Sequence, residues 1–132
     1  MGTGVHQTVL IVEDEPDLAA SAQEAIERFV PGAVVRVARS CGAALAMVQE
    51  APVDLAVVDY RLPGRNGLEF ASRAHEMEPG LPVILMTGYP SVDVAARAIN
   101  EHQVEGYLAK PFDAVVLAEA VQKALARHDS TV

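Results

Sequence analysis

The chain has 132 residues, the size of one domain, and folding at that length removes about two-thirds of the unfolded surface from water. Its residues are 51% hydrophobic and 21% charged, the ordinary globular range, which argues against a disordered or fibrous chain. A net charge of -8 is a poor match for nucleic-acid phosphates or an anionic membrane surface, and a good one for a site that holds a cation.

Cys41 is the sole cysteine, so no internal disulfide can form; a small core-facing residue in a reducing compartment is expected. The opening MGTGVHQT has neither the basic start nor the long apolar run of a secretory signal. No stretch reaches the roughly 18 uninterrupted apolar residues of a membrane span. The expectation is a cytoplasmic protein with no direct nucleic-acid partner and no membrane partner.

Along the chain, short β-branched runs alternate with longer stretches whose apolar residues recur three and four apart. Thr8 to Glu13 (TVLIVE) reads as the first strand. The first helix follows from Pro16 to Phe29, with Leu18, Ala22, Ala25, Ile26 and Phe29 as its apolar stripe. Pro16 is tolerated in a first turn, Asp17 suits the positive helix end, and Pro31-Gly32 stops the helix. Ala33 to Ala38 is the second strand, and Ser40 caps a helix through Gln49. Asp54 to Asp59 (DLAVVD) is the third strand, Pro63-Gly64 shapes the loop after it, and Asn66 or Gly67 opens a helix to about Glu78. Pro82 to Thr87 is the fourth strand, with a helix from Ser91 to about Glu101 behind it. Val104 to Ala109 is the fifth, and Asp113 caps a last helix whose stripe is Leu117, Val121, Ala124 and Leu125. Residues 8–127 form the domain, and 1–7 and 128–132 read as loose termini.

Five consecutive strand-helix units predict a three-layer α/β fold: a parallel sheet covered on both faces, because each right-handed crossover returns the chain to the same sheet edge. Three strands carry nearly unbroken apolar runs, as central parallel strands do. Ligands bind such sheets at the carboxyl ends of the strands. There the first strand ends in Glu13-Asp14-Glu15, the third in Asp59, the fourth in Thr87-Gly88 and the fifth in Lys110-Pro111.

Singly, each of these has an ordinary reading: acids cap helices, threonine suits a strand through its β-branch, and lysine sits on surfaces. Together, Glu13, Asp14 and Asp59 put three carboxylates in one small site, where repulsion raises their pKa values unless a cation is present. Hard oxygen ligands with room for water and a phosphate oxygen suit Mg²⁺. Lys110 can bind one phosphoryl oxygen and the Thr87 hydroxyl another. Asp59 is then a carboxylate nucleophile that attacks phosphorus in line, already ionised and needing no general base.

The segments VLIVEDEPDL, VVDYRLPGRNGLEF, VILMTGYPSVDVAARAI and GYLAKPFD resemble the receiver domain of bacterial two-component response regulators. The resemblance implies a flavodoxin-like, doubly wound (βα)5 sandwich with a five-stranded parallel sheet of order 2-1-3-4-5. It also implies that Asp59 takes its phosphoryl group from a phosphohistidine on a histidine kinase or phosphotransfer protein, with Lys110 and Thr87 assisting. Mg²⁺ would be bound by Glu13, Asp14, Asp59 and the backbone carbonyl of Arg61, and the Lys110–Pro111 bond would be cis. Thr87 drawn toward the phosphoryl group and Tyr107 turning inward would form the switch. The fourth helix, fifth strand and fifth helix would present the changed face to an output domain or a second receiver.

Such a domain is not an enzyme in the ordinary sense, catalysing only its own phosphorylation and dephosphorylation. One alternative is a Mg²⁺-dependent phosphatase or phosphotransferase working through phospho-aspartate, although such enzymes usually carry a second aspartate where Arg61 stands. The other is a binding module of the same fold that no longer uses phosphate. His6, His75, His102 and His128 lack metal-ligand spacing and are expected to be solvated.

Overall fold

A computed structural model describes residues 6–88 and 104–129. Five parallel strands form the main sheet: β1 (Gln7–Val12), β2 (Ala33–Ala38), β3 (Leu55–Asp59), β6 (Val83–Thr87) and β7 (Gly106–Ala109). Their order is β2-β1-β3-β6-β7, which is the expected 2-1-3-4-5 when only these five are counted. A two-stranded antiparallel ribbon, β4 (Arg61–Leu62) and β5 (Arg65–Asn66), follows β3. Helices α1 (Pro16–Phe29), α2 (Cys41–Glu50), α3 (Gly67–Met77) and α4 (Ala114–Asp129) complete the described elements. The helix expected from Ser91 to Glu101 lies outside the described residues.

Strand burial follows strand order. Every residue of the central β3 and β6 is buried, as are the last four of β1, whereas the flanking β2 and β7 are mostly half-exposed. Alternation of side chains along each strand then divides the core in two. Leu10, Val12, Ala56, Val58, Val83 and Leu85 meet Cys41, Ala44 and Val48 of α2 and Phe70, Ala71 and Ala74 of α3. Val9, Ile11, Leu55, Val57, Ile84 and Met86 meet Ala22, Ala25 and Ile26 of α1 and Leu117, Val121 and Leu125 of α4. Among the described residues two helices cover each face, and the carboxyl edge of the sheet is left as a platform.

The helix starts behave as their residues dictate. The Ser40 side chain accepts from the Ala43 N–H at 3.1 Å, and Asp113 Oδ1 accepts from the Val115 N–H at 2.8 Å. Asn66 and Glu69 form a reciprocal capping box at the head of α3. That pairing satisfies two backbone donors a helix start otherwise leaves open. β3 begins at Leu55, one residue later than the expected Asp54, and Asp54 is tied to Thr8: its N–H donates to the Thr8 carbonyl at 2.9 Å and its carboxylate accepts from the Thr8 N–H at 2.7 Å.

Two expectations change. Phe29 is 40% exposed rather than part of the α1 stripe; Val30, just past the helix, is buried there, and the Phe29 ring lies 5.4 Å from the Arg28 guanidinium carbon. The described histidines of the helices are also partnered rather than merely solvated. The His75 ring donates from Nε2 to the Leu81 carbonyl oxygen at 2.8 Å, and His128 bonds Glu105. No helix among the described residues is long and apolar enough to cross a membrane.

Candidate functional site at the carboxyl edge of the sheet

β1, β3, β6 and β7 deliver their carboxyl-end residues to one place. Glu13, the residue after β1, stays in line because its N–H donates to the Ala38 carbonyl of β2 at 3.0 Å. Asp59 is the last residue of β3 and Thr87 the last of β6, and the Lys110 N–H donates to the Thr87 carbonyl at 2.7 Å. All three strand-end side chains are buried: Glu13 is 1% exposed, Asp59 7% and Thr87 6%, the buried polar or charged residues among those described. A charged carboxylate is costly there unless a partner meets it.

Lys110 is that partner. Its Nζ lies 2.6 Å from Glu13 Oε1 and 3.0 Å from Asp59 Oδ2. The remaining oxygens are held by backbone: Glu13 Oε2 accepts from the Glu15 N–H at 3.1 Å, and Asp59 Oδ1 from the Arg61 N–H at 3.2 Å. Burial pushes the Glu13 carboxyl above its usual range, and the Lys110 hydrogen bond pulls against that rise. Burial alone would lower the Lys110 ammonium, but its bonds to the two carboxylates outweigh it and hold the pKa above the ordinary lysine value.

The exposed Asp14 completes the cluster. One carboxylate oxygen from each of Glu13, Asp14 and Asp59 lies within 4.8 Å of the others. Three hard anionic oxygens around so small a space fit a divalent cation such as Mg²⁺, which takes oxygen ligands and fills its remaining positions with water. A single ammonium against three carboxylates leaves a local charge deficit that such a cation would remove.

Arg61 opens the β4–β5 ribbon; it is exposed, and its backbone is fixed by the Asp59 bond. Tyr107 stands apart from the carboxylates: it is half-buried, pairs in register with Leu85, and packs against the core on the α2–α3 face. The Lys110–Pro111 peptide is cis. Gly88 is exposed, with the nearest Lys110 atom 3.9 Å from where a Cβ would sit. What the sequence reading missed is the ribbon and the packing at Gly67. Pro63-Gly64 between two dipeptides was the available signal, since Gly64 has φ +76°, the left-handed value a tight reversal uses.

The comparisons agree with this geometry. The family model described as response regulator receiver domain matches residues 9–122. The response regulator protein PilR of Pseudomonas aeruginosa is 34% identical over 120 residues, covering 91% of this chain and 26% of that protein. The C4-dicarboxylate transport transcriptional regulatory protein DctD of Rhizobium meliloti is 30% identical over 117 residues, covering 89% of this chain and 25% of that protein. This chain therefore spans about a quarter of the length of those two curated relatives. Among solved structures, a CheY-like response regulator receiver domain protein from Methanospirillum hungatei superimposes with a TM-score of 0.87 at 27% identity, covering 97% of this chain and all of that one. The chain belongs to the response regulator receiver domain family.

Proposed function

We propose that Asp59 is the phosphoryl acceptor of this receiver, and that residues 8–127 are the unit that carries the switch. The observation that supports this most directly is the Lys110 ammonium held at 3.0 Å from the Asp59 carboxylate and 2.6 Å from Glu13 at the end of a fully buried strand. Such an arrangement holds the nucleophile fixed, shielded from water and beside a cation.

In the transfer, an Asp59 oxygen forms a bond to phosphorus as the phosphorus–nitrogen bond of a donor phosphohistidine breaks, the electron pair staying on the imidazole. The donor is a histidine kinase or a phosphotransfer protein. Lys110 and the Thr87 hydroxyl hold oxygens of the transferred group. Glu13, Asp14, Asp59 and the Arg61 carbonyl would hold Mg²⁺, which when bound supplies positive charge to the phosphoryl oxygens. The chain turns over no second substrate: it catalyses gain and loss of its own phosphoryl group. Cytoplasmic action fits the buried, unpaired Cys41.

The readout passes through Thr87 and Tyr107 on adjacent strands. Thr87 moving toward the phosphoryl group would change the space beside β7, and Tyr107 would repack into it. The altered face comprises β7 and α4, offered to an output domain or a second receiver; the fourth helix expected in that face lies outside the described residues. This is a local charge event that biases a two-state element.

The test is incubation with acetyl phosphate and MgCl₂ followed by intact mass. One phosphoryl group should be gained, and Asp59→Asn should abolish the gain. Label that persists in Asp59→Asn would remove the assignment.

A further inference from the structure

Gly67 is the first residue of α3, buried, with its N–H donating to the Tyr60 carbonyl at 2.7 Å. Nothing in its backbone calls for glycine. Gly64, three residues earlier, has the left-handed φ of +76°, whereas Gly67 has no such value and begins an ordinary helix. Glycine is among the poorest helix formers, so local preference argues for another residue here.

The space explains it. A Cβ at this position would lie 2.6 Å from the Asp59 carbonyl oxygen, 2.9 Å from Leu85 Cδ1 and 3.1 Å from Val58 Cγ1. The Leu85 methyl ends a flexible side chain and can turn aside. The Asp59 oxygen cannot: it is backbone of a strand whose next N–H, on Tyr60, is bonded to the Met86 carbonyl at 2.7 Å. Reaching the 3.0 Å that real Cβ atoms keep needs a parting of about 0.4 Å between the head of α3 and the main chain of Asp59.

We infer that Gly67 is a positioning residue for Asp59: its missing side chain lets α3 seat directly on the main chain that carries the nucleophile. The inference rests on the acceptor assignment proposed above. The loop from Tyr60 to Gly67 is closed at its two ends by the Gly67–Tyr60 bond, and the Arg61 N–H that holds Asp59 Oδ1 belongs to that loop. A shift at Gly67 therefore displaces the carboxylate and the Arg61 backbone together, in a reaction where displacements of this order cost rate.

The experiment compares the wild type, Gly67→Ala, Leu85→Val and the double variant. Each is measured for urea stability, for MgCl₂ binding by calorimetry and for Asp59 labelling by acetyl phosphate. Leu85→Val removes the Leu85 clash and leaves the backbone one and the looser Val58 contact. Gly67→Ala is expected to label roughly tenfold more slowly and to bind MgCl₂ several-fold more weakly. Leu85→Val alone should label at the wild-type rate. The double variant should regain part of the stability that Gly67→Ala loses yet remain slow to label, and it carries the test if Gly67→Ala does not fold. A double variant that labels and binds MgCl₂ like the wild type would make Gly67 a packing residue only and overturn the inference, as would an unimpaired Gly67→Ala. A wild type that takes no label overturns the acceptor assignment and the inference with it.

Discussion

Replacing Lys110 with methionine removes the ammonium while keeping a long apolar stem, so it isolates charge from packing. The carboxylates of Glu13 and Asp59, 1% and 7% exposed, lie with oxygens within 4.8 Å of each other. At an effective dielectric constant of about 20, unit charges at 4.8 Å repel by about 3.5 kcal/mol. In the wild type Lys110, at 2.6 and 3.0 Å from the two, more than offsets that repulsion. Lys110→Met should therefore lose about 3 kcal/mol of stability in EDTA at neutral pH, in line with the cost of breaking a buried pair.

Urea unfolding followed by circular dichroism measures the loss. Saturating MgCl₂ should return most of it, because a divalent cation replaces the missing charge. In an Asp59→Asn background the same substitution should cost less than in the wild type, since the repulsion between Glu13 and Asp59 is already gone and only the Glu13–Lys110 pair is broken. The pH dependence has a definite sign. Burial already raises the Glu13 carboxyl above its unfolded value of 4.5, so the folded state favours its protonated form. That contribution is fully present below the unfolded pKa and is lost as pH rises through the folded one. Without Lys110 the folded pKa climbs further, so the deficit of the variant should grow from mildly acidic to neutral pH. An equal deficit in EDTA, in MgCl₂ and in the Asp59→Asn background would show that Lys110 acts through its methylene stem and would refute the electrostatic account.

MgCl₂ should raise the stability of the wild type, by about 2.7 kcal/mol at a hundred times its dissociation constant. The same titration on Asp14→Asn should give a much smaller gain, because one of the three clustered carboxylates has gone. Asn66→Ala removes the cap that accepts from the Glu69 N–H at 2.9 Å and should cost about 1 kcal/mol in urea unfolding. Asn66 makes none of the site's ion pairs, so MgCl₂ binding by calorimetry should be nearly unchanged.

Most of the architecture is legible in the residue pattern because each level points the same way. The apolar runs of β1, β3 and β6 are buried strands for the reason they are apolar, and Ser40, Asn66 and Asp113 cap helices because their short polar side chains reach open N–H groups. Phe29 departs from this because periodicity gives the face of a helix and not where the sheet beneath it ends. Val30, outside the helix, is the residue buried in the same core cluster as Ala22, Ala25 and Ile26.

The site divides in the same manner. That Glu13, Asp59 and Lys110 meet, with Thr87 at the end of the strand between Asp59 and Lys110, follows from parallel strands that all end on one edge, which sequence can state without distances. Which carboxylate Lys110 favours does not follow, because it depends on strand offset. Lys110 N bonds the Thr87 carbonyl on the neighbouring strand, yet its side chain crosses the ends of β6 and β3 to reach Glu13 at 2.6 Å, closer than Asp59 at 3.0 Å. Glu13 has one more methylene than aspartate, and its second oxygen is fixed by the Glu15 N–H. With both ends of that contact held, the ammonium is shared between an acid that anchors it and the acid proposed to react. Asp59 thus keeps a cation beside it while its other oxygen stays on the Arg61 N–H. A glutamate rather than an aspartate at position 13 is consistent with a Lys110 whose reach is set by β1 as much as by β3.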